Sequence, residues 1–413
     1  MGAFRQKGGT SKMYGMVLLQ IIFWSSLFFI LHSYLFYPLL LRWLGRAKSP
    51  HGLVFENEED WPHVSVLMAL YNEEKVVAQK LESLLTQDYP KEKLRIFLGS
   101  DCSTDKTNSI IDRYCETFDH LHFFPFTDRQ GKPGVINFLA REANIQEPES
   151  SDHVYLITDA NVILTPSTIS KLVRHFKDPR LAIVDAHMVH TGMQEEGISH
   201  SENQYISSEV RLKDLEGRVW GYMMGPFGGC YTIRSNYFTQ VPPNFLVDDF
   251  FITMQAFERG GLAINDLEAV CHEAVSHDWR EEYRRKSRIS TGNFQNLFLF
   301  SHLWWPPFRP LSFAFFSHKV LRWLVPFFLI LMGISILLLA WFGQLFYQYL
   351  LVAALVGVFL MPLLDIALIR LGANFLPLRH IRYFLLMNLA LFVGFLRYLK
   401  GVKSSIWEPP KRN

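Results

Sequence analysis

Asp159 and Asn161, two residues apart, form the pattern in this chain that is best suited to chemistry. They follow an apolar run at 153–158, and a second apolar run and a proline come after them. Such runs indicate a buried strand that ends in a loop, where α/β folds bind their ligands. Two oxygen ligands at this spacing can share a hard divalent cation, which in turn can hold a diphosphate. Asp and Asn also begin helices and turns, so the pattern alone leaves a structural role open.

The elements around this pair alternate between strand and helix patterns. Strand patterns occur at 64–70, 94–98, 121–124, 153–158 and 181–184, with helical spacing of apolar residues between most of them. This alternation predicts an α/β fold with a mostly parallel sheet covered by helices on both faces. Polar residues gather where four of the strands end, at Tyr71-Asn-Glu73, Asp101, Gln130-Gly-Lys132 and Asp159. Four such clusters in succession favour one site at the carboxyl edge of the sheet.

Hydrophobic residues make up 49% of the chain, yet its mean hydropathy is only +0.09, so they must be concentrated. They cluster at 16–43, 323–342, 349–369 and 383–399. A bilayer core needs about 20 apolar helical residues, which the first three stretches supply. The last stretch is short and carries Asn388 and Arg397. Basic residues stand at both of its ends, so either it does not fully cross the bilayer or the rule that basic residues stay in the cytosol fails there. The first stretch is too long for a signal peptide and predicts an anchor.

Charge patterning predicts the side of the membrane on which the polar block at 50–300 lies. Arg42, Arg46 and Lys48 follow the first stretch, and Lys319 and Arg322 precede the second, so the positive-inside rule predicts a cytosolic block. The formal net charge of +2 lacks the strong excess of basic residues that is typical of nucleic-acid-binding proteins. The four cysteines are widely spaced, which suggests a reduced compartment although pairing is open in principle.

Six segments, in the right order, resemble the motifs of the inverting family 2 glycosyltransferases, which have the GT-A nucleotide-sugar fold. The opening strand with Asn72-Glu73 is similar to the first motif, and Ser100-Asp-Cys-Ser-Thr-Asp105 to the second. The remaining four are Gly131-Lys132 with Asn137, Asp159-Ala-Asn161, Val247-Asp-Asp249 and Arg285-Lys-Ser-Arg288-Ile289. The hydrophobic flanks are further similar to membrane-bound members that make polysaccharides or glycolipids.

The resemblance implies a role for each matching residue. Asp249 stands at the catalytic base, Asp159 and Asn161 at the ligands of a divalent cation, Mg²⁺ or Mn²⁺. Lys132, Arg285 and Arg288 would help to neutralise the departing diphosphate. Tyr71, Glu73 and Asp101 would contact the base or ribose of the donor. The adjacent carboxylate of Asp248 would raise the pKa of Asp249, which would suit a base. Alternatively, the two acids cap a helix and interact with its dipole.

The implied reaction moves a sugar from a nucleotide-sugar donor, expected to be UDP-linked, to a lipid-linked or growing glycan acceptor at the cytosolic membrane face, with inversion. The expected partners are that donor, that acceptor and membrane lipids, and no nucleic acid. The predicted organisation is an anchor at 1–49, a catalytic domain at 50–295, an interfacial amphipathic segment at 296–318 and transmembrane helices at 319–413. The expected location is the inner or plasma membrane.

Several positions depart from the family pattern. Asn161 replaces a charged ligand, so Asn161→Asp is expected to preserve or tighten metal binding. Ser100 replaces the first of two aspartates, so only Asp101 carries over there. Ile289 replaces the tryptophan that stacks on the acceptor in processive synthases, and Arg285 replaces a glutamine. Transfer of one or a few sugars is therefore expected, with a processive polysaccharide synthase as the alternative.

Two other classes of membrane protein remain as rivals. A membrane nucleotidyltransferase would share the α/β domain and metal carboxylates, but the opening strand lacks a glycine-rich phosphate loop. A transporter would carry buried polar pathway residues in its spans, and Asp365 is the only acidic candidate in the three clear stretches. Release of nucleoside diphosphate from a sugar donor would separate the three classes.

Overall fold

The computed structural model describes residues 3–48, 52–146, 153–191, 198–274, 279–373, 375–402 and 404–405. The boundary predicted between 49 and 50 lies outside these residues. The strands are β1 (His63–Leu70), β2 (Leu94–Ser100), β3 (Leu121–Pro125), β4 (His153–Thr158), β5 (Val162–Leu164), β6 (Leu181–Thr191), β7 (Cys230–Arg234) and β8 (Leu262–Ala274).

These strands form one eight-stranded mixed sheet in the order β3-β2-β1-β4-β7-β6-β8-β5. The first four strands along the chain pair in parallel, as do β6 and β8. Strand β7 is antiparallel to both of its neighbours, and β5 is antiparallel to β8. The predicted α/β class with a mostly parallel sheet is therefore confirmed, and the antiparallel strands β5 and β7 both lie in the second half of the sheet.

Strand β1 shows why its sequence is a continuous apolar run. Its side chains alternate between two cores, with Val66 and Met68 on one face and Leu67 and Ala69 on the other. Helices cover both faces, so every residue from 64 to 70 is buried. A strand buried on both sides loses the polar alternation of a half-exposed strand.

The helices of the α/β domain are α3 (Val77–Leu85), α4 (Thr107–Cys115), α5 (Gly131–Gln146), α6 (Thr168–Val173), α7 (Ile198–Trp220), α8 (Asp248–Glu258) and α9 (Trp279–Leu299). The remaining helices are α1 (Ala3–Leu31), α2 (Tyr37–Gly45), α10 (Pro310–Ala314), α11 (Leu321–Trp341), α12 (Leu345–Leu355), α13 (Met361–Arg370) and α14 (Leu376–Leu399). Short π-helical turns join α1 to α2, α10 to α11 and α12 to α13.

Four helical stretches of the described chain are long and apolar enough to cross a membrane, at Lys12–Gly45, Pro310–Trp341, Leu345–Arg370 and Leu376–Leu399. The first two end or begin against the α/β domain: a side chain at Gly45 would meet Leu215 of α7, and Trp323 packs on Phe250 of α8. At the other end, Phe23 packs on Tyr347, about 33 Å of helix away from Gly45. The helical bundle therefore extends about one bilayer thickness beyond the domain.

Helix α14 packs lengthwise against helix α9 of the α/β domain. In its second half, Phe395 packs on Phe294, Tyr398 stacks on Phe298, and a side chain at Gly394 would collide with α9. Near its start, Arg382 pairs with Asp365 in the middle of α13, with 2.9 Å between Nε and Oδ2.

Candidate active site

The loops after β1 and β2 are tied together by hydrogen bonds. Asn72, in the left-handed region at φ 52°, accepts the N–H of Thr104 at 2.8 Å and donates its own N–H to Ser103. The N–H of Glu73 donates to the Thr107 hydroxyl at 2.8 Å, and Glu73 is buried. Two of the predicted polar clusters are thus brought into one rigid edge.

Asp101 is fully buried at this edge and holds the loop that leads to α5. Its carboxylate accepts from Arg129 Nε at 3.0 Å and from the N–H groups of Gln130 and Gly131. With three internal donors, the carboxylate has little capacity left for a ligand. Asp101 therefore fixes the conformation of the loop at 129–131.

Arg129 was not singled out from the sequence, and the structure places it on Tyr71. Its guanidinium carbon lies 3.4 Å from the centroid of the Tyr71 ring, a cation–π arrangement. The ring face predicted to pack on a nucleobase is therefore shared with an arginine. The available signal was a basic residue two positions before Gly131, which begins α5 at φ 73°.

Lys132 connects the ends of two distant elements. Its ammonium lies 2.8 Å from Asp159 Oδ1 and 3.9 Å from Asp248 Oδ2. Burial opposes protonation of Lys132, but the two carboxylates outweigh burial and raise the pKa of the amine above its ordinary value. Lys132 is therefore a permanent cation between the predicted metal ligand and the acidic pair.

Asp248 and Asp249 begin α8, the second of them facing the loop after α7. The N–H of Phe250 donates to Asp249 Oδ1 at 2.8 Å. Burial, and next the charge of Asp248, raise the pKa of Asp249 to about 7. A carboxyl group with a pKa near neutrality is suited to accept a proton in a reaction, since it is both available and basic.

Gly228 gives Asp249 the room it occupies. Gly228 adopts φ +80°, and a side chain there would place its Cβ 2.6 Å from Asp249 Oδ2. The loop between α7 and β7 therefore forms one wall of the acidic pair.

Two buried groups of α7 hold that loop, and neither was predicted. Lys213 donates to Asp185 Oδ2 at 2.7 Å and lies 3.6 Å from the centroid of the Phe227 ring. Glu216 accepts the N–H of Met224 and the hydroxyl of Tyr37. Helix α7 thereby links the loop beside Asp249 to the long helix that ends at Gly45.

Arg288 of α9 completes the charge cluster. Burial lowers the pKa of Arg288, while the nearby carboxylates of Asp248, Asp159 and Asp249 act in the opposite direction. The charge of Arg285, one turn away on α9, adds to the lowering. The structure therefore brings together Lys132, Asp159, Asp248, Asp249 and Arg288, with Arg285 next to Arg288.

The side chain of Asn161 bonds to β8. Its amide nitrogen donates to Glu273 Oε1 at 2.9 Å. The donors available for a cation are hard oxygens, which fits Mg²⁺ or Mn²⁺. Within the described residues, no three His, Cys, Asp or Glu side chains form a ready metal site. Asp159 and Asn161 would therefore need oxygens from a bound diphosphate or water to complete a coordination shell.

Two histidines, His187 and His190, lie three residues apart on β6. His187 Nδ1 bonds to the carbonyl oxygen of Leu267 at 3.0 Å. His190 Nδ1 lies 3.8 Å from Glu273 Oε2, beyond hydrogen-bond distance.

Comparison with solved structures defines the fold class. The mannosyltransferase PcManGT from Pyrobaculum calidifontis, solved in complex with GDP-Man and Mn²⁺, superposes with a TM-score of 0.65 at 20% identity, over 93% of this chain and 97% of that one. The chain therefore has a GT-A-like α/β fold with flanking apolar helices.

Comparison with family models then identifies the family. Residues 65–238 match the model described as glycosyl transferase family 2, and 153–396 match glycosyl transferase family group 2. The second match covers more than half of the chain, so the protein belongs to glycosyl transferase family group 2. It is a glycosyltransferase.

Two curated relatives share shorter segments. The probable glycosyltransferase YdaM of Bacillus subtilis is 31% identical over 132 residues, 29% of this chain and 31% of YdaM. The beta-monoglucosyldiacylglycerol synthase of Nostoc sp. is 25% identical over 173 residues, 41% of this chain and 35% of the synthase. The matches thus span about a third of the length of these relatives.

Proposed function

We propose that this glycosyltransferase moves a sugar from a nucleotide-sugar donor, preferentially UDP-linked, to a lipid-linked or growing glycan acceptor, with inversion of the anomeric configuration. One observation carries the proposal. A half-buried carboxyl group with a pKa of about 7, Asp249, lies beside a group of cations that includes Lys132 and Arg288. A base and a diphosphate-binding group are what this transfer requires.

In the proposed reaction, Asp249 accepts the proton of the acceptor hydroxyl as the oxygen attacks the anomeric carbon. The bond from that carbon to the diphosphate oxygen breaks on the opposite face, which inverts the configuration. Lys132, Arg285 and Arg288 balance the negative charge that develops on the departing nucleoside diphosphate. Asp248, beside the base, disfavours a second negative charge and so keeps Asp249 ready to bind a proton.

Asp159 and the carbonyl oxygen of Asn161 would hold a divalent cation, Mg²⁺ or Mn²⁺. When bound, the cation would act as a Lewis acid toward the diphosphate. Lys132, which already lies 2.8 Å from Asp159, would share that carboxylate and the same phosphate oxygens.

The acceptor is proposed to come from the membrane, because helix α8 rests directly on an apolar helix. Phe250, adjacent to Asp249, packs on Trp323 with ring centroids 5.3 Å apart and on Phe315 at 5.8 Å. The base therefore lies within about one side-chain length of the surface of the helical bundle. The name of the relative from Nostoc, a glucosyldiacylglycerol synthase, adds support for a lipid acceptor.

We further propose that the catalytic domain lies on the cytosolic side, and the distribution of basic residues supports this side. Arg42, Arg46 and Lys48 lie at the end of the first apolar stretch that meets the domain. Lys319 and Arg322 lie at the corresponding end of the second, where both bind Glu209 of α7. Since the second half of α14 packs along helix α9 of the domain, we propose three crossings, with α14 lying along the cytosolic surface.

The products are proposed to be short. Ile289, half-buried on α9 next to Arg288, offers no aromatic face for a sugar ring. Mass spectrometry of the products of purified enzyme should show one or a few added sugars, and a long homopolymer would identify a processive synthase instead.

The function is tested with the full chain in detergent or nanodiscs. The enzyme is given UDP- and GDP-linked sugars with lipid and glycan acceptors, with Mn²⁺ or with excess chelator. Nucleoside diphosphate should be released with Mn²⁺ and not with chelator, and Asp159→Asn should abolish release. Release of pyrophosphate from a nucleoside triphosphate would identify a nucleotidyltransferase, and full activity in chelator would exclude the metal.

A further inference from the structure

Glu273, near the end of β8, is a residue that no motif pointed to, and it bonds to the predicted metal ligand Asn161. Asn161 Nδ2 lies 2.9 Å from Glu273 Oε1, although the two residues are 112 positions apart. The contact follows from the sheet, because Glu273 pairs with Val162 in β5, the residue after Asn161. The backbone register thus holds the carboxylate against the amide.

This contact fixes which way the amide of Asn161 is turned. A carboxylate only accepts hydrogen bonds, so the NH₂ group of the amide must face Glu273. The planar amide then leaves its carbonyl oxygen on the side away from Glu273. Without the contact, the NH₂ and the oxygen could exchange places, and an NH₂ group cannot bind a cation.

His190 of β6 lies on the other side of Glu273. The two residues pair in register, and His190 Nδ1 lies 3.8 Å from Glu273 Oε2. The side chains of Glu273 and His190 are only 20% and 8% exposed, so little solvent competes with Asn161 for the carboxylate.

The same contact explains why an asparagine occupies this position. An aspartate at 161 would place two carboxylates about 2.9 Å apart in a half-buried site, where like charges repel strongly. With asparagine at position 161, the pair carries a single negative charge, and that charge lies on Glu273.

We propose that Glu273 is a positioning residue that turns the carbonyl oxygen of Asn161 toward the cation, and that it makes asparagine, not aspartate, the residue this site requires. The proposal rests on the proposed metal-dependent function. It reverses the expectation from the sequence that Asn161→Asp is harmless or favourable. Partners of metal ligands commonly contribute 10- to 100-fold to metal affinity.

The first experiment measures Mn²⁺ binding to the full chain by electron paramagnetic resonance, with and without UDP. Glu273→Ala should lower the affinity by about 10- to 100-fold. The double variant Asn161→Asp with Glu273→Gln should restore it at least to the wild-type level, because the amide introduced at position 273 then donates to the new carboxylate. Glu268→Ala, which removes an exposed carboxylate from the same strand, is the matched control and should leave affinity unchanged.

Two outcomes of this experiment would overturn the proposal. Wild-type affinity in Glu273→Ala would show that the contact does not orient the ligand. Weak binding in the double variant, equal to that of Glu273→Gln alone, would show that Glu273 binds the cation itself.

The second experiment needs neither metal nor activity. In EDTA, Asn161→Asp should lower the melting temperature, and adding Glu273→Gln should restore it, because the repulsion exists only when both positions carry a carboxylate. Equal melting temperatures for Asn161→Asp and wild type would contradict the contact. If wild type binds no Mn²⁺ at all, the proposed metal dependence fails, and this arm alone decides whether the pair exists.

Discussion

The two halves of the active-site edge are stabilised in different ways. In the half after β1 and β2, Asp101 and Asn72 have their polar atoms engaged by neighbouring backbone and side chains. In the half around α8, the pKa values of Asp249 and Lys132 are both raised, which favours the neutral form of the acid and the charged form of the amine. The first half is organised to hold a shape. In the second half, Asp249 can change its protonation during a reaction while Lys132 stays charged.

The largest effect is expected from removing the base in the second half. Asp249→Asn keeps the shape of the side chain but cannot accept a proton, so turnover should fall by about 10²- to 10⁴-fold. Affinity for nucleoside diphosphate, measured by calorimetry, should stay near the wild-type value. A variant with nearly wild-type turnover would remove Asp249 from the mechanism.

A smaller loss is expected from displacing the base without changing its chemistry. In Gly228→Ala, the new Cβ would lie 2.6 Å from Asp249 Oδ2 and in a backbone region that alanine rarely adopts. A displacement of about 1 Å can cost about 10²-fold in rate. The measurement is kcat at saturating donor.

Gly260→Ala is the matched control for this variant. Gly260 has nearly the same backbone angle, φ +81°, but no atom lies within 4 Å of a Cβ built there. Its kcat should remain near wild type while both variants lose some thermal stability. Equal loss of kcat in the two variants would mean that backbone strain alone is responsible.

The first half should respond in binding and not in chemistry. Asp101→Ala removes the acceptor that holds Arg129 and the loop before α5, so donor affinity should fall by the roughly 1–3 kcal/mol of a lost buried contact. The kcat at saturating donor should change much less. Asp112→Asn, on the exposed face of α4, serves as the control. Unchanged nucleoside diphosphate affinity in Asp101→Ala would show that this half does not form the donor pocket.

The sequence predicts the first half of the molecule better than the second. Strands β1 to β4 and their helices follow from apolar periodicity, and the polar strand ends bring Tyr71, Asp101 and Asp159 to one edge. Strand β7 lies antiparallel in the middle of the sheet, which no local pattern reveals. Helix α7 buries charged groups such as Lys213 and Glu216, so its sequence lacks a clear apolar stripe.

The contacts missed in the site are long-range. Asn161 and Glu273 are brought together only by the register of β5 on β8, and Arg129 reaches Tyr71 from a different loop. Residue types reveal which groups can do chemistry, whereas the partners that orient those groups come from tertiary pairing. The motif residues were therefore predictable, and their supporting partners were not.

The central claim is that Asp249, with a pKa of about 7, takes the proton of the acceptor. The pH dependence of kcat tests this claim most directly. Because the base must be deprotonated, kcat should be level above pH 7 and should fall by about tenfold per pH unit below it. The apparent pKa of this profile belongs to the coupled pair of Asp248 and Asp249. The residual activity of Asp249→Asn should lack this acidic limb. A kcat that stays constant from about pH 5 to 8, or an acidic limb that persists in Asp249→Asn, would contradict the account.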